Sequence, residues 1–592
     1  MMQQNFRTHV LSAAMLCACG VLGAMPAGAV EFQAAGADIT FSTVISAGLL
    51  IRAEDPSGEF YAAGNRAGGF SSTSAYDDPS LNFKKGEIVS NVYKIFSELK
   101  VDYGDFGGTL SAKAWYDHEL DSGDRRHGNI VNGYAPGRPL SDRTFDDLAK
   151  FKGFALMDAY VRGKVEVGDM PLELRLGRQV VSWGEGLFIG GGINSINPID
   201  VSAFRRPGAE LKEGLLPVEM AYGNIGLTGD LSFEAFYQLK WAPTVIDGCG
   251  TYFSTVDSVA KGCNGFTLSA AQSDPTGLAT GNVAKRADDL EARDDGQFGF
   301  ALRYYAAALD VELSAYYMRY HSRVPYISIY NTTAANGGAP FINGDPLGGN
   351  FRYVIEFPED INLFGLGFST VLGGVSVFGE ASYRPDMPVQ LNANHLLAAF
   401  RSGGTSAQSP LSPAVAVGSG ALFHGYDEAE QYRAQVAAFK LLPPALGAAG
   451  ITLIGEVGFE VLDGLPGDRR YGRTAVYGLY NRSGTCAETT ARKCADDGYV
   501  TDFSWGYRAR GVLDYPDAVL GWNMKPFLSW AHDVNGTASD STYLEGRMAL
   551  GLGVDFDSGG YSFGTSYVRF MGGDYNYGKD RDFVSINATA RF

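Results

Sequence analysis

A two-residue alternation, repeated along nearly the whole chain, limits what this sequence can become. Leu231, Phe233, Ala235, Tyr237, Leu239 and Trp241 alternate with Ser232, Glu234, Gln238 and Lys240. Tyr93, Ile95, Leu99, Val101 and Tyr103 alternate with Lys94, Glu98, Lys100 and Asp102. Met157, Ala159, Val161, Val165 and Val167 alternate with Asp158, Arg162, Lys164 and Glu166. The pattern returns in Phe503, Trp505 and Tyr507 against Ser504, Gly506 and Arg508, and in Met548, Leu550, Leu552 and Val554 against Arg547, Ala549, Gly551 and Asp555. In a strand the two sets point to opposite faces. Charges along one face of so many strands argue against a dry sandwich core, where they would be buried and unpaired. One apolar face and one polar face over about ten residues is what a lipid-facing barrel wall requires.

The chain ends in the same way. Val584, Ile586, Ala588 and Ala590 share one face, Phe583, Ser585, Asn587, Thr589 and Arg591 the other, and Phe592 is last. A terminal strand closing on an aromatic resembles the assembly signal by which the barrel-assembly machinery recognises its clients. Eighteen alternating segments are counted, among them 353–370 and 375–385, and sixteen to eighteen strands are expected. Short turns such as Gly104-Asp105 and Gly373-Gly374 alternate with long polar stretches near 53–85, 122–152, 184–217, 243–295, 323–352, 386–428 and 463–499. The predicted fold is all-β: a closed antiparallel transmembrane β-barrel with short periplasmic turns and long external loops.

The N-terminus agrees with export. Arg7 is the only charged residue before Glu31, an apolar stretch runs from Val10 to about Met25, and Ala27-Gly28-Ala29 supplies small residues for cleavage. Residues 1–29 read as a signal peptide and 30–592 as the barrel. Cys17-Ala18-Cys19 offers a competing lipoprotein reading. Beyond the leader no apolar run approaches the roughly eighteen residues of a membrane-crossing helix. The expected place is the outer membrane of a Gram-negative bacterium, among its lipids and lipopolysaccharide. The net charge of −18 argues against nucleic acid as a partner.

Cys17 and Cys19 fall in the leader, which leaves two local couples, Cys249 with Cys263 and Cys486 with Cys494. Both fall in expected external loops, and in an oxidising compartment both read as disulfide staples. Metal binding fits less well, since neither couple has CxxC spacing or a neighbouring His. Gly190-Gly191-Gly192 lacks the following Lys-Ser/Thr of a phosphate loop, and no cofactor is expected.

The most distinctive stretch is LRLGRQVVSWGE from Leu174, then GGIN from Gly191, then NPIDVSAFRRPGAELKEGLLPV from Asn197. This stretch resembles the hallmark of a proteobacterial domain-of-unknown-function family of outer-membrane barrels, and the resemblance covers nearly all of the mature chain. Genes of that family commonly accompany RND-type exporters. The resemblance therefore implies handling of lipids or other hydrophobic molecules, with an RND-type exporter or a periplasmic lipid carrier as a partner.

Read from its residues alone, 184–217 is the third external connection, rich in Gly and apolar residues for a surface loop. In many porins the third loop folds into the lumen. Arg175, Arg178, Glu185, Arg205, Arg206, Glu210, Lys212 and Glu213 are the candidates to line the lumen or a constriction, with opposed charges setting a transverse field. The alternative is a salt-bridged plug that braces the wall. Leu391 to Arg401 is expected to form a short helix with Leu391, Leu396, Leu397 and Phe400 exposed as an apolar strip, gating entry or capping the rim. The expected function is a channel or transporter for a small molecule, hydrophobic or lipid-like by context, and not an enzyme. A non-transporting anchor or assembly partner of an envelope complex is the second reading. A barrel hydrolase is the third, without a local nucleophile motif in its favour.

Overall fold

The computed structural model describes residues 29–128, 138–333, 341–479 and 495–592. Residues 1–28 of the proposed leader and the couple Cys486 and Cys494 lie outside these residues. Eighteen antiparallel strands form the wall, each bonded to its sequence neighbours. They are β1 (Ala37–Arg52), β2 (Ile88–Tyr103), β3 (Phe106–Asp117), β4 (Lys152–Val167), β5 (Met170–Gln179), β6 (Val218–Gly226), β7 (Leu231–Gln238), β8 (Phe298–Ala306) and β9 (Val311–Tyr320). There follow β10 (Ile361–Leu372), β11 (Val375–Gln390), β12 (Tyr426–Leu442), β13 (Gly450–Asp463), β14 (Phe503–Val519), β15 (Trp522–Asn535), β16 (Arg547–Ser558), β17 (Tyr561–Gly572) and β18 (Phe583–Arg591). β18 pairs back onto β1, from Val44 opposite Arg591 to Arg52 opposite Phe583, so the sheet closes without an edge. Thr43 and Phe592 exchange two backbone hydrogen bonds, 2.8 and 2.9 Å, where the first and last strands meet.

The alternation produces the expected two surfaces. Phe106, Val161, Leu176, Leu366 and Leu552 stand on the outer face and are 44–65% exposed. Ser46, Lys94, Lys113, Glu234, Glu380, Arg384, Glu456 and Glu460 alternate with them and are buried inside. Outer aromatics meet across strands, Tyr317 with Phe364 at 5.2 Å and Tyr383 with Tyr432 at 4.7 Å between ring centroids. This matches the interfacial girdles of membrane barrels. Among the described residues no helix is long and apolar enough to cross a membrane. The wall turns are short because their residues suit them. Gly373 and Gly374 both have positive φ, +57° and +73°, the requirement of a tight two-residue hairpin turn.

Three readings of the strands are corrected. Met157 is buried inside instead of facing outward, because Met157 and Asp158 together oppose Ser111. That bulge resets the face on which the strand's residues lie. The run read as one strand from 353 to 370 is two: Arg352–Glu356 pairs with Tyr326–Tyr330 in a separate sheet, and the wall strand begins at Ile361. Strand β11 runs on to Gln390, past the expected end at 385.

The long loops build a cap. Phe266–Thr267, Val283–Arg286, Tyr326–Tyr330, Arg352–Glu356 and Leu422–Phe423 form a second, five-stranded sheet. The helix Ala393–Arg401 forms as expected, but its apolar strip is not exposed. Leu391, Leu396 and Phe400 are each 1% exposed and pack with Ile355, Tyr353 and Val389. Cys249 and Cys263 form a disulfide, buried among Leu140, Phe145 and Ala260.

Candidate functional site

The chain leaves β5 at Gln179 and returns to the wall at Val218, and the residues between are bonded to inward side chains all round the barrel. Asn197 staples the two ends, accepting from Val181 N–H (3.0 Å) and donating to the carbonyls of Leu216 (2.8 Å) and Gln179 (3.3 Å). Asn194 turns the entry by accepting from the N–H groups of Trp183 (3.0 Å) and Gly184 (2.9 Å). The Trp183 indole is buried, stacks on Tyr316 and donates to Glu234 at 2.7 Å. Two wall carboxylates then hold the glycine-rich turn. Glu456 accepts from Leu187, Phe188 and Ile189 N–H at 3.0, 2.6 and 2.9 Å. Glu380 accepts from Glu185 and Ile193 N–H at 2.5 and 2.8 Å. Arg384 donates to Gly192 O at 2.6 Å and Arg433 to Gly190 O at 3.2 Å. A Cβ at position 192 would overlap the Glu380 carboxylate, so any other residue there must displace it from the turn.

The second half crosses to the opposite wall. Asp200 caps the short helix Val201–Arg205 and pairs with Lys113 at 2.8 Å. Glu213 pairs with Lys94 at 2.9 Å, and both pairs are buried. Pro207 packs against Gly48 of β1, and Gly208 lies beside Asn587 of β18.

The predicted residues fall as follows. Arg205 pairs with Asp247 at 2.6 Å, and its guanidinium lies over Phe253. Arg206 stacks on Trp115 and donates to Leu148 O at 3.1 Å. Glu210 pairs with Arg591 at 3.0 Å and with Lys212 at 3.5 Å, while Lys212 lies over the Phe96 ring. Glu185 contributes its backbone N–H to Glu380. Arg175 bonds Glu173 at 2.6 Å and lies over Tyr222. Arg178 is a correction: it pairs with Glu219 on the face that carries Leu174 and Leu176, not toward the lumen. An odd separation from Arg175 puts it on the opposite side of the strand. Glu213 is consumed by Lys94, so it does not face Arg205 or Arg206 across a free gap.

Above this segment lie two adjoining cavities. One, of about 480 Å³, is bounded by Asn194, Ser195, Tyr326, Arg384, Arg433 and Asp540. The other, of about 300 Å³, is bounded by Arg205, Arg508, Arg547, Arg581, Asp533 and Phe570. Thr255 and Tyr577 line both. Sequence reasoning placed Arg508 and Arg547 on an inward face but did not bring them together with Arg205. Strand register and loop path do that, and no local motif signals it.

Elsewhere, two buried groups in the external loops bring metal-ligand atoms within 4.8 Å of one another: Asp77, Asp78 and Asp257, and Asp78, His127 and Asp274. Asp77 and Asp274 there accept from Ala62 N–H, Asn65 and Thr267. Burial holds the His127 imidazole down to about 4, and it raises the Asp77 and Asp257 carboxyls well above the ordinary range. Such acid clusters occur without an ion.

These features define a class, a large closed membrane-type β-barrel whose interior is crossed by a bonded internal segment. The chain belongs to the DUF1302 family, whose description is a protein of unknown function and whose match covers residues 10–592. No curated protein matches. Among solved structures, the chain is similar to OccAB1 of Acinetobacter baumannii, at 9% identity over 94% of this chain and 96% of that one, with a TM-score of 0.39. It is also similar to OpdK of Pseudomonas aeruginosa with vanillate, at 9% identity over 93% and 98%, TM-score 0.37. A third is OmpF of Salmonella typhi in complex with daunomycin, at 9% identity over 95% and 100%, TM-score 0.36. Likenesses of this size carry no functional argument, and the barrel assignment rests on the strand pairing.

Proposed function

We propose that this protein is an outer-membrane channel or transporter for a small molecule, hydrophobic or amphipathic, with residues 184–217 narrowing its lumen. The observation that supports this most is the combination of a closed wall, apolar outside, with adjoining cavities of about 480 and 300 Å³ over a polar interior segment. A structure built only to anchor a complex has no need of a partly apolar chamber inside a membrane cylinder. Conductance of the purified full-length protein in planar bilayers tests the reading. The wild type is expected to give small, resolved current steps. Removing 186–192, the turn held by Glu380 and Glu456, is expected to enlarge them several-fold. A protein that passes neither ions nor small solutes in either form overturns the proposal.

One observation favours a second reading. Glu456 and Glu380 together fix five backbone N–H groups, as a permanent brace would. In that case the barrel is an anchor or assembly partner. The wild type is then silent, the deletion variant conducts, and a periplasmic protein co-purifies.

A further inference from the structure

The cavity of about 300 Å³ has a composition unlike the rest of this acidic chain. Four guanidinium groups reach it, from Arg205 on the internal segment, Arg508 on β14, Arg547 at the start of β16 and Arg581 in the last external loop, and Asp533 is the single carboxylate in its lining. Asp533 is shared: it accepts from Arg508 and from Arg547, each at 2.6 Å. Arg205 is offset by Asp247 at 2.6 Å, and Arg581 by Asp580 at 3.4 Å, a carboxylate that also serves Arg52 at 3.0 Å. Within the lining itself, four arginines meet the single carboxylate of Asp533, inside a chain of net charge −18, while Asp247 and Asp580 lie behind it. Asp582 is bonded to Tyr567 OH and Phe570 N–H and is not part of the lining.

Donors remain. Arg547 uses Nε and Nη2, and Arg205 uses Nη1. Arg547 Nη1 and Arg205 Nη2 make no hydrogen bond among the described residues, and these side chains are 29% and 35% exposed in the interior. Phe253, Phe570, Met548, Ala531 and Ala549 supply an apolar side to the wall, and Ser254, Thr255, Asn576 and Tyr577 a neutral polar one. The adjoining larger cavity repeats the sign, with Arg323, Arg384, Arg433 and Arg473 against Asp540.

The geometry points to a binding site for an amphipathic carboxylate, its carboxyl between Arg205 and Arg547 and its apolar body against Phe253 and Phe570. Guanidinium forks match a carboxylate's two oxygens, and a pocket that is mostly apolar with a few convergent polar groups is how proteins hold small molecules. The proposal rests on the channel reading, since it names the class of cargo that pauses in the lumen.

The test uses full-length protein in nanodiscs, with 2-naphthoate as probe and 2-naphthamide as its neutral counterpart, binding being read by calorimetry. Naphthoate is expected to bind at least about tenfold more tightly than the amide. Arg547→Gln is expected to abolish that preference. Asp533→Asn, which removes the competing carboxylate, is expected to tighten naphthoate several-fold, a direction that misfolding does not imitate. Phe570→Ala is expected to weaken both probes alike. Equal binding of the two probes, or weaker naphthoate binding by Asp533→Asn, overturns the site. Conductance without naphthoate preference removes the site and leaves the channel. Naphthoate preference without conductance or flux removes the channel and leaves an anion-binding barrel.

Discussion

At the scale of single residues, the interior is governed by paired charges. Lys94 and Glu213 are 2.9 Å apart with side chains 5% and 7% exposed. Lys113 and Asp200 are 2.8 Å apart at 4% and 0%. Removing one member of such a pair strands the other in a poorly solvated place and costs about 3–5 kcal/mol, whereas removing both is often nearly neutral. Lys94→Met is therefore expected to lower the temperature at which the folded band disappears on unheated gels. The double variant Lys94→Met with Glu213→Leu is expected to recover most of the loss. A double variant no better than the single one would show that the pair does not act as a unit. Parity decides other residues. Arg175 faces inward and Arg178 outward because three positions separate them, a distinction readable from the sequence by counting.

At the scale of elements, strands and loops obey different rules. A wall strand is fixed by its own alternation, and all eighteen were legible. The loop elements were not, because short pieces such as Val283–Arg286 take strand form only against their partners. The helix Ala393–Arg401 shows the same limit: its apolar face was visible, but not the cap that covers it. That cap holds Asp77, Asp257 and Asp274, whose carboxyls are raised by burial first, and for Asp77 and Asp257 also by a neighbouring carboxylate. An acid raised in the folded state holds more protons folded than unfolded. Stability from these groups is complete below the ordinary value of 3.8 and is lost as pH climbs through the raised values. Hydrogen exchange in 60–82 and 254–280, corrected for its intrinsic rate, is expected to be faster near about pH 8 than near about pH 5. Asp257→Asn is expected to flatten that difference, and equal protection of the wild type at both values would contradict it.

At the scale of the whole molecule, closure is the event on which the rest depends. The last strand finds the first across the full length of the chain, and Phe592 ends that seam with its two bonds to Thr43 and its ring against Tyr561. Deleting Phe592 removes both the seam's last pair and the expected assembly signal. The amount of folded, heat-modifiable protein in the outer-membrane fraction is expected to fall several-fold. Unchanged amounts would place the signal elsewhere.

The sequence by itself determined the character of the wall: an apolar face and a polar face on each strand, a count near eighteen, and which connections are long; the bulge that turns Met157 inward was not legible in it. A period of two is a local property, and lipid on one side with water on the other enforces it at every strand. It also exposed the unusual character of 184–217. Only the tertiary structure decided which charges meet. Lys94 with Glu213, Glu456 with the turn at Leu187–Ile189, and Arg205 with Arg547 and Arg581 around one cavity are far apart in the chain. Their meeting depends on closure, on register, and on the path one loop takes through the interior, none of which is a local property.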